Sequence, residues 1–144
     1  MVGTLILTHG GLAHELLAAA QVIAGELPAF EALSLDWNDG HDVARSKILE
    51  ALARVDRGDG VIILTDMYGG TPSNVAKELA EPDRIELVCG VNLPMVLRLG
   101  CRTGGGCDRM AVGELATWLE SKGRQSVRRC ALGAPCEGNG AVPR

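Results

Sequence analysis

A histidine and an aspartate each close a short apolar run, and each is followed by paired glycines. His9 ends Val2-Gly3-Thr4-Leu5-Ile6-Leu7-Thr8 and precedes Gly10 and Gly11; Asp66 ends Val61-Ile62-Ile63-Leu64-Thr65 and leads through Met67 and Tyr68 to Gly69, Gly70, Thr71 and Pro72. An aspartate bonded to one ring nitrogen fixes the imidazole tautomer and stabilises positive charge on the ring, leaving the other nitrogen as a nucleophile or base. Glycines let backbone amides come close to a ligand, and helices starting just beyond them aim their partial positive charge at the same place. Such a set suits an anion beside a histidine, as in a phosphohistidine.

Two side chains 57 positions apart meet only if the chain stacks its strands side by side. The pattern predicts strands at 2–8, 30–35, 60–65 and 85–90. Between them it predicts helices at 12–24, 42–55 and 72–80, then a short helix at 94–99 and a last one at 112–121. Regular alternation of strand and helix implies right-handed crossovers and a parallel sheet. The expected fold class is α/β, a doubly wound, mainly parallel open sheet of order 2-1-3-4. In that order the crossovers after the first and third strands run in opposite directions, and a crevice opens between their carboxyl ends. His9 and Asp66 would flank it.

The first helix should bury Leu12, Leu16, Ala19, Ala20 and Ile23, and the second Val43, Ile48, Leu52 and Val55. Thr71 reads as the N-cap of the third helix, with Pro72 at its first position; its hydroxyl could also contact a phosphoryl oxygen. From Gly100 to Cys107 the chain has neither period nor apolar content and is expected to be a loop. Ser126-Val127 is expected to begin a short extra carboxyl-terminal strand, and residues 130–144 to form a flexible tail behind a single domain at 1–129.

Composition narrows the function classes. The chain has 144 residues, of which 47% are hydrophobic, 22% charged and only 3% aromatic, so an aliphatic core must serve. Cores of that kind suit strands covered on both faces by helices. A net charge of −4 offers no basic footprint for nucleic acid. No apolar stretch nears the roughly 20 residues that span a bilayer, and no basic leader precedes the first apolar run, so a cytoplasmic protein without direct membrane insertion is expected. The five cysteines read as reduced thiols.

Three segments carry a resemblance. Thr8-His9-Gly10, Leu64-Thr65-Asp66-Met67-Tyr68-Gly69-Gly70-Thr71-Pro72-Ser73-Asn74 and Gly90-Val91-Asn92-Leu93-Pro94-Met95 resemble the IIA component of the mannose-type phosphoenolpyruvate:sugar phosphotransferase system, and the likeness extends to about residue 128. The resemblance implies that His9 accepts a phosphoryl group from HPr and passes it to a IIB protein. It further implies that Asp66 bonds the δ nitrogen, that the ε nitrogen is phosphorylated, and that the protein is a homodimer exchanging a carboxyl-terminal strand. Backbone amides at Gly10, Gly11, Gly69 and Gly70, with Thr71, would hold the phosphoryl oxygens, so neither cofactor nor metal is expected. Many relatives have serine where Thr71 stands. The phosphotransfer subunit of a phosphoenolpyruvate-dependent dihydroxyacetone kinase, and a regulatory module switched by phosphorylation of His9, are the competing readings.

Other reactive residue types read as structural. His14 belongs to the first helix, and His41 and Asp36 to the turn chemistry before the second. Cys89 reads as a buried small hydrophobe, and Cys101, Cys107, Cys130 and Cys136 are spaced too widely for common zinc motifs.

Overall fold

The structure is a computed structural model that describes residues 1–103, 110–130 and 132–133. Strands β1 (Gly3–His9), β2 (Phe30–Leu35), β3 (Val61–Thr65) and β4 (Ile85–Cys89) alternate with helices α1 (Leu12–Ala24), α2 (His41–Val55) and α3 (Thr71–Leu79); α4 (Leu93–Thr103) and α5 (Val112–Gln125) follow. All strand pairs are parallel, in the order β2-β1-β3-β4. The expected doubly wound sheet is therefore present.

Alternation along each strand sends side chains to two separate cores. Ile6, Ile62, Leu64 and Val88 face Ala13 and Ala20 of α1, Met95, Val96 and Leu99 of α4, and Leu115 and Leu119 of α5. On the opposite face Leu5, Leu7 and Ile63 meet Ile48, Leu52 and Val55 of α2 and Val75, Ala76 and Leu79 of α3. Sheets covered on both sides read as continuous apolar runs, and β1 and β3 are buried at every position but His9. Helices α1 and α3, which follow β1 and β3, lie on opposite faces. Their departure in opposite directions opens the crevice.

Four expectations need correction. In α1 the buried stripe is Ala13, Leu16, Leu17 and Ala20, one position on from the expected face, and Leu12 and Ile23 are exposed. Alanines at 13 and 20 let the helix sit close to the sheet, and the Thr8 hydroxyl holds the Ala13 amide at 2.7 Å. Val43 is likewise exposed, and Ala44 takes its place in the core. Residues 100–103 are helical, because α4 continues past Leu99 and the Arg102 guanidinium lies 4.8 Å over the Trp118 ring of α5; residues 104–109 lie outside the described residues. Ser126 forms the turn that ends α5 rather than a strand, its hydroxyl bonding the Gly123 carbonyl, and residues 127–130 are in no strand and join no strand among the described residues.

Helices α2 and α3 are also joined at the surface. The His41 ring contacts Glu78 at 2.8 Å and Asp42 at 3.5 Å, and those carboxylates raise its pKa above the ordinary 6.5. A raised folded-state pKa contributes stability that is complete below the unfolded value and lost as pH rises through the folded one. Urea midpoints of the wild type and His41→Gln should thus differ below pH 6.5 and converge as pH rises past neutral. A gap independent of pH would show that this pair does not couple to folding.

Candidate functional site

The carboxyl edge of the sheet brings His9 and Asp66 into direct contact. His9 is the last residue of β1, and Asp66 follows Thr65, the last of β3; the two strands are neighbours with Leu7 opposite Thr65. His9 Nδ1 lies 2.8 Å from Asp66 Oδ2, and the His9 backbone N–H donates to the same oxygen at 3.0 Å. The other carboxylate oxygen, Oδ1, accepts the Met67 N–H at 3.0 Å. Burial pushes the Asp66 carboxyl upward, but bonds from the His9 main chain, the His9 ring and its own backbone outweigh it and hold the group below the ordinary carboxylate value. An ionised carboxylate accepts only, so Nδ1 carries the proton of the neutral ring. Nε2 is left with its lone pair, and the His9 side chain remains 29% exposed.

Gly70 sets the other side of the ring. A Cβ there would stand 2.7 Å from His9 Cε1 and 3.3 Å from Nε2. Its own φ of −80° suits any residue, so close approach of the imidazole, and not backbone conformation, requires glycine. Gly10 and Gly69 differ: their φ values of +54° and +84° are left-handed, and they turn the chain sharply out of each strand into its helix. Gly70→Ala should move the His9 ring signals in NMR and destabilise the fold by about 1–3 kcal/mol through overpacking. Unshifted ring signals would mean the imidazole is not held there.

The helix starts supply donors. Gly11 and Gly70 are the N-caps of α1 and α3, and neither helix has a side-chain cap bond at that position. Thr71 is therefore not the cap; it is the first helical residue, exposed, with Pro72 second. The Gly70 φ and ψ are those a cap adopts, and Ser73 bonds the Gly70 carbonyl at 2.9 Å. Amides in a first helical turn have no intrahelical acceptor, so those of Thr71 and Ser73 join the positive end of α3 beside His9.

Trp37 escaped the sequence reading. It stands in the β2–α2 turn, 87% exposed, with its ring centroid 5.7 Å from that of His9 and tilted by 36°. A tryptophan in a polar turn is the only trace it leaves in the sequence. His14 lies on α1, its Nδ1 3.2 Å from the Ser34 hydroxyl, which donates to the Gly10 carbonyl. Asp36 is exposed in the turn. Cys89 is half-buried on the edge strand, rather than buried, because among the described residues no strand lies beyond β4. Cys101 and Cys130 are exposed; Cys107 and Cys136 lie outside the described residues, among which no three His, Cys, Asp or Glu side chains gather as a metal site. No helix of the described residues is long and apolar enough to cross a membrane.

Comparison with known proteins identifies the family and agrees with the fold. The chain is 29% identical over 133 residues to the fructose-specific EIIA component of the phosphotransferase system (PTS) of Bacillus subtilis (strain 168), covering 91% of this chain and 88% of that protein. It is 29% identical over 129 residues to the PTS mannose-specific EIIAB component of Escherichia coli (strain K12), covering 88% of this chain and 39% of that longer protein. The mannose/sorbose specific IIA subunit of the phosphotransferase system from Enterococcus faecalis superposes with a TM-score of 0.77 at 29% identity, covering 93% of this chain and 98% of the other. Residues 3–105 match the EIIA-man family, described as the PTS system fructose IIA component, and with well over half its length inside that match the chain belongs to this family.

Proposed function

We propose that the chain is a phosphohistidine carrier of the sugar phosphotransferase system, accepting a phosphoryl group from HPr on His9 and passing it to a IIB component. The observation that carries this reading is the bond from Nδ1 to Asp66, which leaves the Nε2 lone pair free on a side chain that is 29% exposed. In the transfer the phosphorus–nitrogen bond of phospho-HPr breaks as one forms to Nε2. No proton has to leave Nε2, and the positive charge that develops on the ring sits against the ionised carboxylate. The amides around Gly10, Gly11, Gly69 and Gly70, and Thr71 at the start of α3, hold the equatorial oxygens. The reading needs no metal or cofactor. It places the working domain at residues 1–129 in the cytoplasm, with no direct membrane insertion. Incubation with phosphoenolpyruvate, enzyme I and HPr should add one acid-labile, alkali-stable phosphoryl group, seen by intact mass. No mass gain with active HPr would refute it.

The assembly we infer is a homodimer. Among the described residues no strand lies beyond β4; its first residue, Ile85, is bridged to Glu81 on that side, and a groove of about 1000 Å³ runs along the rest, lined by Lys77, Glu86, Cys89, Glu120, Arg124 and Val127. An exposed strand edge is a template for another strand, and the segment after α5 of a second copy would fill it. Light scattering at micromolar concentration should give twice the chain mass, and truncation after Gln125 should give the monomer. A dimer that survives truncation removes the exchanged strand from this account.

A further inference from the structure

We propose that Trp37 is a positioning residue for His9: its indole closes the face of the imidazole that Asp66 and Gly70 leave open, fixing the ring and keeping water from the phosphorylated form. The proposal rests on His9 being the phosphoryl acceptor.

The turn that presents Trp37 is clamped. Asp39 accepts the Asp36 N–H at 3.0 Å, the Asp39 N–H returns to the Asp36 carbonyl at 3.0 Å, and Lys47 Nζ reaches the Asp39 carboxylate at 2.7 Å. Within this clamp Trp37 takes no part in either core cluster and is 87% exposed. A tryptophan held by its turn, outside the core, and set 5.7 Å from one particular ring has that ring as its contact. Asp66 constrains Nδ1 but permits the imidazole to pivot about that bond. The absence of a Cβ at Gly70, which would stand 2.7 Å from Cε1, gives the imidazole room on that side; Trp37, centred 5.7 Å from the ring, flanks it and limits the pivot.

Phosphorylation raises the value of the contact. With Nδ1 protonated and Nε2 bonded to phosphorus, the ring is cationic, and the electron-rich face of an indole attracts a cation within about 6 Å. Spontaneous loss of phosphate proceeds by attack of water on phosphorus. The phosphorus–nitrogen bond breaks, inorganic phosphate departs, and the electron pair returns to Nε2. An indole beside the ring excludes water from that approach and disfavours the pivot that would expose the bond.

The test compares wild type, Trp37→Ala and Trp37→Phe without a partner protein at the reading step. In the unphosphorylated proteins, Trp37→Ala should shift and broaden the His9 ring signals in carbon–proton NMR, leave those of His14 and His41 in place, and be largely restored by Trp37→Phe. After labelling with phosphoramidate and removal of the reagent, the phospho-form of Trp37→Ala should lose phosphate about three to ten times faster than wild type, matching the worth of one aromatic contact, with Trp37→Phe near wild type. Unmoved His9 signals, or equal hydrolysis rates in Trp37→Ala accompanied by a raised KM for phospho-HPr alone, would overturn the proposal and make Trp37 a docking contact. If His9 signals respond to Trp37→Ala while neither phosphoramidate nor phospho-HPr labels His9, the positioning role stands and the phosphotransfer reading falls.

Discussion

His9→Ala should take up no phosphoryl group at all when phosphoenolpyruvate, enzyme I and HPr are supplied, while its unfolding midpoint stays close to that of the wild type. The loss is complete because no other side chain offers the same set of partners. His14 meets only a serine hydroxyl, and His41 faces two exposed carboxylates on the flank of the sheet. The side chain of His9 belongs to neither core cluster, so its removal leaves no cavity in the apolar interior. Peptide mapping of the labelled wild type checks the same point from the other direction. Label on His14 or His41, or undiminished labelling of His9→Ala, would transfer the role elsewhere.

Asp66→Asn should slow single-turnover transfer from phospho-HPr by roughly 10²–10⁴-fold. The reason is a count of donors. Asp66 accepts three bonds, two on Oδ2 from His9 and one on Oδ1 from Met67, and an amide has only one oxygen. If the asparagine oxygen faces His9, its amino group meets the Met67 N–H; if the amino group faces His9, it meets the His9 N–H and forces Nδ1 to accept. The second arrangement moves the ring proton to Nε2 and removes the nucleophile. Neither arrangement keeps the negative charge that balances the phosphorylated ring. Circular dichroism should report an intact sheet, and transfer rates equal to wild type in that folded variant would remove Asp66 from the mechanism.

Much of this site could be read in the chain because strand ends obey a simple rule. Short aliphatic runs separated by helical segments place their last residues on one edge of a parallel sheet, and the order β2-β1-β3-β4 makes the ends of β1 and β3 neighbours; His9 and Asp66 follow. The parts that were not legible depend on distances between elements. In α1 two apolar stripes overlap because alanine fits either side, and only the approach of the helix to Thr8 decides between Leu12 and Ala13. Thr71 has the chemistry of a cap, yet Gly70 occupies that position because the His9 ring needs the space a side chain would fill. Trp37 lies 28 positions from His9, in a turn whose direction is set by Lys47 reaching back to Asp39. No periodicity reports such a contact.

The four aromatic residues of the chain are distributed unequally, and this bears on how the protein can be watched. Phe30 alone is buried in the core, Trp118 is half-buried beneath Arg102, and Trp37 and Tyr68 stand 87% and 79% exposed on the loops that carry the working edge. Trp37 and Tyr68 thus report the loops, whereas Trp118, packed against the aliphatic interior from α5, reports the core. In a Trp118→Phe background, intrinsic fluorescence followed during unfolding will register loosening of the Asp36–Asp39 turn, whereas far-ultraviolet ellipticity will register loss of the helices. Two curves that separate would record local opening of the site ahead of global collapse of the sheet, so a chain built almost without aromatic packing carries in Trp37 a probe placed beside its working edge.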